Sequence, residues 1–107
     1  MKERIIESRQ GEKLVERKVW WGGKLVKREV WTQKDGRLVE RKVWQDKKLV
    51  KREVWVYRDG NLVEWKCWGK GKLVARKTWE DGELIKREVL VNGKLVEWEV
   101  WRDGELA

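Results

Sequence analysis

Arginine returns at one place in a repeated phrase, three residues after a leucine: Arg17, Arg28, Arg41 and Arg52, then Arg76 and Arg87, with Trp65 and Trp98 standing in the same place. If those positions line up across neighbouring strands, Arg17, Arg28, Arg41 and Arg52 form a column on one face with steps of about 5 Å. Such a column is a candidate anion-binding surface for sulfate, phosphate or a nucleic-acid backbone, with Trp65 available for base stacking or cation–π contact. The competing reading is structural: arginine is a long amphipathic side chain whose stem packs on valine while its head stays in water. Carboxylates recur too, and Glu16, Glu29, Glu40, Glu53 and Glu64 would form a row at the separation of about 5 Å that retaining glycosidases use. An open row beside lysines implies no pocket, so catalysis is not expected from it. Cys67 takes a valine place and reads as a small packed thiol.

The absent residues narrow the chemistry further. There is no histidine, Ser8 is the only serine and Cys67 the only cysteine. Imidazole ligands, Ser-His and Cys-His nucleophilic pairs, disulfides and cysteine zinc sites are therefore excluded within one chain. No catalytic residue, metal or cofactor is expected, and the reading is a non-enzyme without a small-molecule substrate. Of 107 residues, 43% are charged against a usual fraction of about 25%, and 40% are apolar, with ten tryptophans and no proline. That is too little apolar surface for a thick core. The net charge of +8 lies wholly in residues 1–56, with 17 Lys and Arg against 9 Asp and Glu; residues 57–107 have 10 of each. A polyanion would feel the N-terminal half first. No run of eighteen apolar residues occurs, and the opening Met1-Lys2-Glu3-Arg4 begins no signal peptide. The expectation is a soluble, cytoplasmic or recombinant protein with no membrane partner.

The elements that must position these residues follow from the repeat. Leu-Val or Leu-Ile pairs begin at Leu14, Leu25, Leu38, Leu49, Leu62, Leu73, Leu84 and Leu95, at spacings of 11, 13, 11, 13 and then 11. Valine- and tryptophan-rich heptads between Asp-Gly, Asn-Gly, Gly-Gly and Lys-Gly pairs are strands joined by type I′ turns. The strands are expected near 14–20, 25–31, 38–44, 49–55, 62–68, 73–79, 84–90 and 95–101, with another near 3–9, all in a single repeat domain 1–107. Two-residue turns place Leu95 opposite Leu90 and Val96 opposite Val89. The 13-residue spacings fit the same pairing with four-residue loops at 33–36 and 57–60. Eleven residues cannot hold a strand and a parallel crossover, so the fold is an antiparallel up-and-down meander.

Alternation then gives one face Val-Arg-Val and the other Leu, two charges and Trp. A barrel would bury the arginine column or the Glu and Lys rows without partners. An open, twisted or coiled, largely single-layer all-β sheet of eight to nine strands is expected instead. Trp20, Trp31, Trp44, Trp55, Trp68, Trp79 and Trp101, each set against leucine, make apolar stripes that are a candidate partner surface. The first partner to consider is a second copy, through these stripes or through the edges near Ile5-Ile6 and 98–101.

Asp35-Gly36-Arg37-Leu38-Val39-Glu40 and Asn92-Gly93-Lys94-Leu95-Val96-Glu97 resemble the hairpin repeats of MORN-type proteins and their bacterial antitoxin-like variants. The resemblance covers about residues 11–107 and implies an antiparallel meander acting as a scaffold or protein-interaction module. The Gly-x-Trp and Tyr-x-Gly signatures of MORN repeats are missing. Such regularity, with high strand propensity and no proline, also resembles an idealised, de novo designed sequence.

Overall fold

A computed structural model describes residues 2–107. Ten strands follow one another: β1 (Glu3–Gln10), β2 (Lys13–Trp21), β3 (Lys24–Lys34), β4 (Arg37–Gln45), β5 (Lys48–Arg58), β6 (Asn61–Gly69), β7 (Lys72–Glu80), β8 (Glu83–Val91), β9 (Lys94–Arg102) and the two-residue β10 (Glu105–Leu106). They form one open sheet in sequence order, the antiparallel meander expected from the repeat. Contacts fall into two compact units, Met1–Arg52 and Glu53–Ala107. Among the described residues only Val43, Cys67, Glu29 and Glu88 are buried, and two of those four are charged. Each unit is thus a single layer whose side chains, rather than a second sheet, cover the backbone.

The turns obey the expected chemistry with one correction. Asp35-Gly36 and Asp59-Gly60 are two-residue turns, with φ near 50° at the aspartates and 76° and 83° at the glycines. Positive φ at both central residues is the type I′ signature. The four-residue loops at 33–36 and 57–60 do not exist: β3 and β5 run on to Lys34 and Arg58 as strands of 11 residues against 9 for β4 and β6. The two extra residues of the 13-residue repeats are strand, not loop. At Asp46-Lys47 the second position has no glycine, and Lys47 itself takes φ 69°.

A second correction changes which residues meet. Leu95 does face Leu90, but Val89 faces Glu97, so Val96 is an extra residue and not the partner of Val89. The same bulge follows the leucine in five other hairpins, at Val15, Val26, Val39, Val74 and Ile85. Because side chains alternate with period two, one extra residue reverses the facing of everything beyond it. Each bulge moves leucine onto the face of its own strand's arginine. Successive strands then present opposite patterns to the same side of the sheet.

Candidate functional site

The bulges decide the fate of the arginine column. Arg28 stands opposite Lys18 on β2 and opposite Trp44 on β4, while Arg17 stands opposite Glu29 and Arg41 opposite Trp31. Directly opposed residues of an antiparallel pair share a face. Glu16, Lys18, Arg28, Val30, Lys42 and Trp44 therefore lie on one side of the sheet, and Arg17, Val19, Lys27, Glu29, Trp31, Arg41 and Val43 on the other. Arg17, Arg28 and Arg41 alternate between faces and form no column. The glutamate row dissolves for the same reason: Glu16 faces Val30, Glu29 faces Val43 and Glu40 faces Thr32.

What replaces the column is a set of brackets in which an arginine is tied to a carboxylate on a neighbouring strand, with an indole on the other side of Arg28 and Arg41. Arg28 donates from Nε to Glu16 Oε2 at 3.0 Å and brings Nη2 to 2.8 Å from the same oxygen, while its guanidinium lies 4.9 Å from the Trp44 ring centre. Arg41 Nη2 donates to Glu29 Oε2 at 2.7 Å and sits 6.0 Å from the Trp31 ring. Lys27 closes on the other Glu29 oxygen at 3.3 Å. Arg52 donates from Nε to Glu40 Oε2 at 2.8 Å, with Lys42 at 3.6 Å from Glu40 Oε1. Each of these three arginines reaches the glutamate twelve residues before it, because the bulge and the turn fix that offset.

The second unit keeps the bracket with different parts. Trp65 stands where arginine is expected and donates from its indole N–H to Glu53 Oε2 at 3.0 Å, again an offset of twelve. Lys77, directly opposite Trp65, lies 5.3 Å from its ring centre. Arg76 and Arg87 reach forward instead: Arg76 bonds Glu88 Oε1 from Nε at 2.9 Å and Nη2 at 2.7 Å, and Arg87 Nη1 bonds Glu99 at 2.8 Å and Glu97 at 3.0 Å. Cys67 is buried opposite Ala75, a small residue against a small residue.

The electrostatics follow from this geometry. Burial raises the Glu29 carboxyl, but hydrogen bonds from Arg41 and Lys27 outweigh it, so the group sits below the ordinary glutamate range. Glu88 behaves alike: burial opposes the charge, and Arg76, with help from Lys86, restores it. Glu16 is lowered chiefly by its hydrogen bond from Arg28, and Arg87 is raised chiefly by Glu97. Arg17 is the loose member: its Nε is buried without a hydrogen-bond partner, 3.9 Å from Glu7.

The tryptophan stripes change as well. Leucine does face an aromatic in Trp20–Leu25, Trp68–Leu73 and Trp79–Leu84, and Trp101 faces Leu106. Trp31 and Trp44 face Arg41 and Arg28 across β3 and β4, however, and lie on opposite sides of the sheet. The stripes of Trp20, Trp31, Trp44, Trp55, Trp68, Trp79 and Trp101 are thus half-buried and shared between faces. The most exposed indoles are Trp21 at 48% and Trp98 at 60%, neither in the expected set. Trp21 was legible: it follows Trp20 directly, and adjacent strand residues cannot share a stripe.

No protein-family model matches the chain, and no curated protein matches it. Among solved structures it is similar to part of a TarM mutant of S. aureus in complex with fondaparinux, alpha-GlcNAc-glycerol and UDP, at 18% identity and a TM-score of 0.40, over 83% of this chain and 18% of that one. A second TarM structure gives 20% identity and a TM-score of 0.38, over 87% and 21%. The chain spans about a fifth of the proteins it matches. No helix among the described residues is long and apolar enough to cross a membrane.

Proposed function

We propose that this chain is a non-enzymatic β-repeat scaffold of the MORN-like hairpin kind, with the regularity of an idealised design. The observation that supports it most is the constant bracket: Arg28–Glu16, Arg41–Glu29, Arg52–Glu40, Arg76–Glu88 and Arg87–Glu99 all join residues twelve apart on neighbouring strands. The charged groups best suited to bind a polyanion are spent on holding a single layer together. Charge-assisted bonds already set a carboxylate against each guanidinium, so a phosphate would have to compete with that carboxylate.

The test compares two double variants of equal charge, Arg28→Gln with Arg41→Gln and Lys24→Gln with Lys48→Gln, in titrations with fluorescent single-stranded DNA. Lys24 and Lys48 are exposed and stand outside the brackets. The scaffold reading expects only the weak, charge-driven affinity of any basic protein, roughly 10⁻⁴ to 10⁻⁶ M at physiological salt, reduced equally by both pairs. Selective loss in the arginine pair, with its sheet intact by circular dichroism, would restore the arginines as a binding surface.

A further inference from the structure

Nine of the ten tryptophans stand three or six residues after a repeat leucine, whereas Trp21 stands seven after Leu14, at a turn. It directly precedes Gly22-Gly23, stands opposite Glu3 and Lys24, and is 48% exposed. The β4–β5 turn, Asp46-Lys47, lies beside this one: Lys27 faces Gln45, and the Asp46 N–H donates to the Val26 carbonyl at 3.1 Å. A cleft of about 450 Å³ at the two turns is lined by Gly23, Lys24, Leu25, Val26, Asp46 and Lys47. Lys24, Lys47 and Lys48 are exposed there, and so is Leu49, by 43%. Three lysines against one aspartate thus occupy the end of this unit at which an indole and a leucine meet solvent.

We propose that this end of the first unit rests on an anionic lipid surface, its lysines on the head groups and Trp21 and Leu49 in the interface between them. Charge and polarity together select that occupant. Each lysine close to such a surface is attracted to it, and an amphipathic indole belongs at the level of the head groups. Apolar side chains of surface-bound segments enter by about 5–10 Å, and a strand rises about 3.3 Å per residue. Trp21, next to its turn, and Leu49, two residues beyond Lys47, both lie within that depth. A second copy docking through the same end would set these lysines against their own kind. A nucleic-acid backbone would take the lysines but leave Leu49 in water. The lack of a long apolar run bears on spanning a membrane, not on a surface contact of this size.

Co-sedimentation with vesicles of phosphatidylcholine, alone or mixed with phosphatidylserine to about one third, at about 0.1 M salt, tests this. The wild-type chain is expected to bind the anionic vesicles and to leave the neutral ones in suspension. Lys47→Gln should weaken that binding about fivefold, and Lys24→Gln with Lys47→Gln about 30-fold. Lys34→Gln, an equal loss of charge at the far end of β3, should change it less than twofold. Trp21→Ser should weaken vesicle binding several-fold and leave the weak binding of single-stranded DNA unchanged. A wild-type chain that ignores anionic vesicles, or binds neutral ones as well, overturns the proposal without any variant. So does a Lys34→Gln loss equal to that of Lys47→Gln, or a Trp21→Ser chain that binds vesicles like wild type. Trp21→Ser losing DNA and vesicles alike would overturn it too, in favour of a nucleic-acid contact.

Discussion

Glu29 is only 5% exposed, yet two cations hold it ionised by direct contact. Removing the charge leaves the part-buried Arg41 bond a neutral acceptor and turns an amide NH2 toward Lys27, so Glu29→Gln is expected to lower unfolding free energy by about 1–3 kcal/mol. Glu105→Gln, on an exposed side chain away from the brackets, should stay within about 0.5 kcal/mol. Urea denaturation of both variants checks the contrast, and equal small effects would show that the bracket carries no stability. The pH dependence has a definite sign. Glu16, Glu29 and Glu88 ionise more readily folded than unfolded, so the unfolded chain binds more protons as pH falls below its glutamate value of about 4.3. Stability is therefore full above that pH and is lost as pH drops through the lower folded values. Melting curves from pH 6 down to about pH 2 should show a fall confined to the acid end, steeper than in the Glu29→Gln, Glu88→Gln double variant.

At the scale of the element, the bulge is the decisive feature, and it explains what could be read beforehand. The strands other than β3 and β5, the two-residue turns at 81–82, 92–93 and 103–104 and the facing of Trp20 by Leu25 were legible, because glycine at positive φ and the 11-residue spacing leave few alternatives. The arginine column was not. A bulged valine looks like any strand valine, and a period of two bears no mark of one added residue, yet that residue reverses every facing beyond it. The same silence turned Gln33 and Lys34, which are strand, into loop. Deleting Val26 is the matching test: it leaves Val19–Lys27 and Lys18–Arg28 paired but removes the bend of the bulge and the carbonyl that accepts from the Asp46 N–H, and should lower stability by about 1–3 kcal/mol, whereas Val26→Ile should stay within about 1.5 kcal/mol. A deletion variant as stable as the parent would show the bulge to be dispensable. Lys47 offers a gain instead. Its φ of 69° costs a residue with a Cβ roughly 1 kcal/mol, so Lys47→Gly should raise the urea midpoint by that equivalent.

For the molecule as a whole, the low apolar fraction is answered by side chains that cover a single layer. Where a globule buries leucine in a core, each unit here buries one carboxylate and one small apolar side chain among its described residues and half-buries most of its tryptophans. Arginine serves twice in that scheme, its stem as cover and its head as a tie to the next strand, which also keeps thin, aromatic-rich faces hydrated. The excess of positive charge in residues 1–56 does not contradict this, since Arg28, Arg41 and Arg52 in that half are all paired with glutamate. A sheet built so depends on cross-strand ties more than on any core. The most direct measurement of that dependence is a double-mutant cycle on Arg41 and Glu29, with Arg41→Gln, Glu29→Gln and both together followed by urea denaturation. The bracket predicts that the two losses couple by at least about 0.5 kcal/mol, as for residues in direct contact. Losses that simply add would contradict it, and would return the arginines to solvent and to whatever anion is offered them.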